Sequence, residues 1–462
     1  EHFNSPSETQ NDSFKSVSRY FDRITRPEQI LTSLPQAINV MLDPADCGPA
    51  VISMSQDVQG EAYDYPEIFF EEKIHEIRRI HPDPNQIQKA ADKLKKSKQP
   101  IIISGGGVLY SEAEEEISAF AKKHNIPVTA TVMGIGCMNK DDPYYISAIG
   151  CLGEGSSNNL ATDTDLALAV GTKLGDFTTG SWTNFENENF QLVSINTSRF
   201  DTTKHRATPV VSDAKIGLQE LSKALGDWKA PDNWYQRSIE ERNKWDEYVA
   251  KESGPTNQEL PSYAHAVGAV YRNSDPSDIV VTAAGGLVGE VVQIWKPKEL
   301  NTFETEWGFS CMSYEISGAL GIKMAKPDQD VIVFVGDGSY LLQNSDIYSS
   351  VLYDKKLIIV VCDNGGHMVI NRLQLAKGGN EYLCNLNAAR ATNVQFVDFE
   401  AHAKSMGANG ETVKSISELE AAFKRAKESD KTYVISMKTD GYEWLEGTAF
   451  WESPTLEVDN TE

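Results

Sequence analysis

A chain of 462 residues has material for about three domains at roughly 150 residues each, and it carries a formal net charge of −24. No basic stretch is longer than Lys93 to Lys98, so the positive footprint that nucleic acid or an anionic membrane needs is missing, and both are excluded as partners. The six cysteines form no CxxC pair, no run approaches about 18 apolar residues and no signal-peptide pattern opens the sequence, which together predict a reducing cytoplasm; the eight scattered histidines speak against zinc.

Glu1 to about Asp12 is polar and expected to be disordered. Thr25-Arg26-Pro27-Glu28 has the pattern of a capping box with proline in the first turn and predicts a helix over 27–42. A strand over 49–54 follows, then a linker over 71–84 that contains His81-Pro82-Asp83-Pro84. One helix and one strand in residues 1–70 cannot bury a core, so the apolar face of the helix should be partly uncovered and further strands are expected upstream.

The second block, 85–228, reads as a Rossmann-like parallel α/β domain. A helix over 85–97 precedes the strand Pro100–Ile103 and the turn Ser104-Gly105-Gly106-Gly107, and Ser111 with Glu114 predicts a capped helix to His124. Strands follow over 127–131, 165–171 and 191–196. Gly105 to Gly107 could cradle a dinucleotide, but the spacing is not GxGxxG, and a tight turn is the preferred reading. A polar, charged linker over 229–261, containing Trp234 and Trp245, leads to the third block, 262–462.

In that block a strand over 278–283 runs into the turn Ala284-Gly285-Gly286-Leu287, and Glu306 to Ser313 leads into a helix through Ala325. Asp330 to Val335 is an unbroken apolar run of the kind buried on both faces of a parallel sheet, and it ends in Gly336-Asp337-Gly338-Ser339. A helix over 340–353, a strand over 357–362 and the loop Asp363-Asn364-Gly365-Gly366 complete the unit; a helix over 417–428 and a strand over 432–437 close the chain. Neighbouring parallel strands would bring Asp337 and Asn364 together at the carboxyl edge of the sheet, where open α/β folds place ligands. Hard oxygen donors beside a glycine-rich turn and a helix start suit magnesium carrying a diphosphate; the competing reading is a small polar turn with no metal.

The interval of 27 residues between Asp337 and Asn364 matches the GDG-x(24 to 28)-NN motif of thiamine diphosphate-dependent enzymes, with Asp363 in place of the first Asn. Over essentially the whole chain after residue 12, the sequence resembles the acetohydroxyacid-synthase-like group of these enzymes. Residues 1–70 resemble the end of its pyrimidine-binding domain, 85–228 its central domain and 262–462 its diphosphate-binding domain. Within the group, Gly308-Phe309-Ser310-Cys311-Met312-Ser313-Tyr314-Glu315-Ile316, Ser198-Arg199-Phe200-Asp201 and Asp176-Phe177-Thr178-Thr179 resemble the branch that opens a cyclic 1,2-dione by hydrolysis.

The resemblance implies Mg2+ held by Asp337, Asn364 and the carbonyl of Gly366. It further implies thiamine diphosphate flanked by Gly285 and Gly286 and given backbone N–H groups by Gly338 and Ser339. Ser310 would accept from the aminopyrimidine, and Met312 would bend the cofactor so that its own amino group removes the reactive proton; on its residues alone Met312 reads as a gap-filler. His367 and Met368 would lie along the cofactor, His367 as a proton shuttle, a diphosphate donor or a plain loop residue, and Cys311 reads as packing. An activating glutamate is implied on the early pyrimidine-binding domain, and no acid in 1–70 is nominated for it, so the catalytic residue is unassigned. A homodimer or homotetramer is implied, and no flavin is expected. A carboligase, a 2-oxo acid decarboxylase and a non-catalytic relic or fragment are the competing readings.

Overall fold

The computed structural model describes residues 8–390 and 393–453. Of the expected disordered start, residues 1–7 lie outside the described residues, as do 454–462 of the last block. Residues Gln10–Val17 form a 3-10 helix instead of a disordered tail.

Three parallel sheets organise the chain. The first pairs β1 (Tyr20–Ile24) with β2 (Ala50–Met54). Strand β1 was not expected, because Tyr-Phe-Asp-Arg-Ile places two charges in the middle of a strand that is only half buried. The helix between them runs over Pro27–Gln29 as a 3-10 turn and Ile30–Met41 as α-helix. Its N-terminal cap is one residue later than the sequence suggested: Gln29 Oε1 accepts from the N–H groups of Thr25 (2.7 Å) and Arg26 (3.0 Å), and Glu28 takes no part. Only Ser33 and Ala37 of the α-helix are buried, while Met41 is 49% exposed, so the apolar face of the helix is partly uncovered.

The central sheet contains β3 (Pro100–Ser104), β4 (Val128–Ala130), β5 (Tyr145–Ala148), β6 (Leu166–Val170), β7 (Gln191–Asn196) and β8 (Thr208–Val211) in the order β5-β4-β3-β6-β7-β8. Strands running outward on both sides of β3 and β6 define a doubly wound sheet whose switch point lies between those two. That switch point is filled by the chain itself. A Cβ on Gly105 would stand 2.4 Å from the Gly171 carbonyl oxygen, and one on Gly107 would stand 2.6 Å from Gly171 Cα. The glycines serve backbone contact, the tight-turn reading. Helix Glu114–His124 starts at Ala113 without a side-chain cap; Ser111 is instead used at long range, accepting from Ala214 N–H (3.3 Å).

The stretch 229–261, expected as a linker, holds a 21-residue helix, Asp232–Glu252. Trp234, Ser238, Glu241 and Trp245 recur on one face and are buried, which is helical spacing hidden in a polar composition.

The last sheet contains β9 (Ile279–Thr282), β10 (Phe303–Thr305), β11 (Val331–Gly336), β12 (Ile358–Asp363), β13 (Asn409–Val413) and β14 (Tyr433–Lys438), in the order β10-β9-β11-β12-β14-β13. Every residue of β12 is buried, as are the first five of β11, as their β-branched composition requires. The helix expected over 340–353 is two, Asp337–Leu342 and Ser345–Leu352, interrupted where Gln343 leaves helical geometry.

Candidate active site

Strands β11 and β12 pair in register, Gly336 opposite Cys362, so the loops that follow them leave the same edge of the sheet side by side. A cavity of about 180 Å³ opens there. It is lined by every residue the motif reading assigned: Gly285, Gly286, Ser310, Met312, Asp337, Gly338, Ser339, Asn364, Gly366, His367 and Met368. Four separate turns thus meet on one space.

The oxygen donors have the chemistry a cation requires. Asp337 is buried, and burial pushes its carboxyl up to about 6, with the neighbouring Asp363 adding to the effect. Asn364 Oδ1 is buried and accepts no hydrogen bond among the described residues. A buried acceptor without a donor costs free energy unless something satisfies it, and a hard cation does so. Among the described residues no group of three His, Cys, Asp or Glu could hold a metal. The oxygens that the sequence reading nominates, on Asp337, Asn364 and Gly366, belong to one carboxylate, one amide and one backbone carbonyl, and all three residues line this cavity.

Asp363, where the motif has Asn, organises the loop instead of entering the cavity. Its Oδ1 accepts from Gly365 N–H (3.0 Å) and its Oδ2 pairs with Lys438, which faces it across β12 and β14. Gly365 (φ +74°) and Gly366 (φ +153°) take up the left-handed turns that follow.

Helix Gly285–Ile294 starts at the cavity, which its first residues Gly285, Gly286 and Leu287 line. The space beyond Gly285 is open, with no atom within 4 Å of a Cβ placed there. Gly286 is closed on its other side by the Trp444 ring, 2.1 Å from such a Cβ.

Met312 and His367 both approach Gly338, where a Cβ would lie 3.6 Å from Met312 Cε and 3.0 Å from His367 Cε1. His367 is exposed at the mouth and donates its backbone N–H to the Cys384 carbonyl (2.8 Å). Ser310 Oγ reaches the Ala283 carbonyl at 3.4 Å. Met368 is buried and packs on Gly441 as well as lining the cavity. Cys311 is exposed rather than packed, its N–H donating to Glu306 Oε2 (2.6 Å).

Two neighbours with titratable side chains escaped the sequence reading. Tyr263, whose phenol burial pushes well up, lines the cavity from a helix that was not anticipated. Glu315 stands behind it and was quoted only as part of a motif.

Residues 87–221 match the central domain of thiamine pyrophosphate enzymes, and 283–437 match their C-terminal TPP binding domain. The chain belongs to the thiamine pyrophosphate-dependent enzymes. It is similar to proteins named 3D-(3,5/4)-trihydroxycyclohexane-1,2-dione hydrolase. That of Halalkalibacterium halodurans is 37% identical over 98% of this chain and 75% of its own length. The one from Shouchella clausii is 37% identical over 96% of this chain and 74% of its own, and the one from Bacillus subtilis is 36% identical over 98% and 75%.

Proposed function

We propose that the protein catalyses thiamine diphosphate- and Mg2+-dependent hydrolytic cleavage of trihydroxycyclohexane-1,2-dione to 5-deoxy-glucuronate, a step of inositol catabolism in the cytoplasm. The observation that carries the reading is the meeting of Asp337, the unpartnered Asn364 Oδ1 and Gly366 with two glycine-rich turns in one cavity. The names of the relatives supply the substrate.

In this reading Asp337, Asn364 and the Gly366 carbonyl hold the metal, and the backbone N–H groups of Gly285, Gly286, Gly338 and Ser339 receive the diphosphate. Thiamine diphosphate, when bound, supplies a nucleophilic carbon and an electron sink for breaking the bond between two carbonyl carbons. Met312 braces the cofactor from beside Gly338, and Ser310 offers a hydroxyl to its pyrimidine. His367, an imidazole among the lining residues, is exposed, which would let it pass a proton to or from a substrate oxygen.

Self-association belongs to the same proposal, as a homodimer or homotetramer. Leu342 (63% exposed), Tyr348 (52%) and Leu352 (62%) present apolar surface on the two helices beside the site, which supports it. No described helix is long and apolar enough to cross a membrane.

Turnover assays of the full-length protein with the cyclic dione, pyruvate and glyoxylate test the reading. Opening of the dione with release of an acid is the expected result. Turnover of pyruvate or glyoxylate alone would assign a carboligase or decarboxylase, and inactivity towards all three a non-catalytic protein.

A further inference from the structure

Glu315 is 1% exposed, at the start of helix Tyr314–Ala325 and behind the cofactor cavity. Its carboxylate is held by uncharged donors. Oε1 accepts from Ala284 N–H (3.3 Å) and from Ser339 Oγ (3.0 Å), and Oε2 accepts from the same hydroxyl (2.9 Å). Ser339 Oγ in turn accepts from Ser313 N–H (2.6 Å). Burial pushes the carboxyl up, against the pull of these donors.

The donors belong to three different turns. Ala284 precedes Gly285 and Gly286, Ser313 follows Met312, and Ser339 follows Asp337 and Gly338. Their chain separations from Glu315 or Ser339 are 31, 26 and 24 residues, so no local secondary structure fixes their mutual spacing. Ser313 also has φ +81°, a left-handed backbone unfavourable for a non-glycine residue, and its N–H is one of those bound. A buried carboxylate without a cation is an expensive way to fill space. An apolar side chain would fill the same volume more cheaply, but it would leave Ala284 N–H and Ser339 O–H without an acceptor.

We propose that Glu315 is the positioning residue that sets the spacing of the three cofactor turns, with Ser339 Oγ as the joint between them. The inference rests on the thiamine diphosphate reading above and adds to it a residue that touches neither cofactor nor metal.

The test is calorimetric titration of the full chain with thiamine diphosphate in the presence of MgCl2, for wild type, Glu315→Gln, Ser339→Ala and the double variant. Thermal unfolding of each is followed without cofactor. Glu315→Gln keeps size and one acceptor oxygen, and Ser339→Ala keeps the backbone N–H offered to the diphosphate. Each single variant should bind at least tenfold more weakly while melting within a few degrees of wild type, which a merely structural role would not produce. The double variant should bind no more weakly than the worse single one, because both substitutions break the same joint. Wild-type affinity in folded Glu315→Gln, or losses that add, would overturn the proposal. Should Glu315→Gln fail to fold, Ser339→Ala decides alone, and unchanged affinity there overturns it. A wild-type chain that takes up no thiamine diphosphate overturns the cofactor reading itself, whatever the variants do.

Discussion

Asp337 stands between a buried environment that disfavours its charge and a second carboxylate, Asp363, that repels it, while the nearby cation Lys438 is paired with Asp363. A cation at the cavity relieves both penalties, so Asp337→Ala should abolish Mg2+-dependent thiamine diphosphate binding and leave the protein folded; unchanged calorimetric affinity would sink the metal assignment. Glu290 is a different case. Its Oε1 accepts from Leu445 N–H (3.1 Å), its Oε2 is buried with no hydrogen-bond partner among the described residues, and burial pushes the carboxyl up to about 7. Because the folded value lies above the ordinary 4.5, the unfolded chain loses this proton first, and the stability it contributes is full below pH 4.5 and lost as pH rises through about 7. Glu290→Gln should therefore gain about 1–3 kcal/mol over wild type at pH 8 and nothing near pH 4.5, as urea melts at the two pH values would read. That Asp337, Asn364 and Gly366 line one cavity was legible because they sit in two contiguous loops at a fixed interval. Tyr263 and Glu315 were not, since their places at the cavity follow from packing between segments far apart in the chain.

At the scale of elements, helix Ile416–Glu428 is pinned by Lys427. Its ammonium meets Asp275 (2.8 Å), Asp278 (2.6 Å) and Asp330 (2.9 Å), the last two at the feet of β9 and β11. Burial works against the charge, yet the three carboxylates outweigh it and hold the ammonium's pKa above its ordinary value. Lys427→Met leaves the Asp278 side chain, 2% exposed, without its cation, and should lower stability by about 2–4 kcal/mol in denaturant titrations while sparing cofactor affinity. The elements readable from sequence were those whose pattern is local: β3, β6, β7, β11 and β12 are apolar runs ended by turn residues. Those that were missed depend on context. Strand β8 contains Pro209 and lies at the sheet edge, β5 is four residues long, and helix Asp232–Glu252 shows its apolar face only as two tryptophans eleven positions apart.

Across the whole molecule, the segment after β14 works as a strap. Leu445 is bound to Glu290, the Gly447 carbonyl accepts from Asn158 Nδ2 (2.9 Å), Ala449 N–H donates to the Gly150 carbonyl (3.2 Å), and Trp451 packs on Phe177 with ring centroids 4.6 Å apart. Those partners lie on both large sheets' surroundings, so the strap fastens the central block to the diphosphate-binding block. Ending the chain at Thr439 should split one calorimetric unfolding transition into two and weaken thiamine diphosphate binding; a single unchanged transition would show that the remaining contacts suffice. The same strap places Trp444 against Gly286, with Tyr263 edge-on at 5.7 Å and the Arg372 guanidinium 5.2 Å from the indole ring. Indole emission responds to nearby charge, and a diphosphate held by the Gly285 and Gly286 amides, as proposed, would bring its negative charge close to that ring. The protein thus has a built-in optical gauge: titrated ligand should be visible as a change in tryptophan fluorescence that Trp444→Phe removes, giving an occupancy readout that needs no label and no turnover.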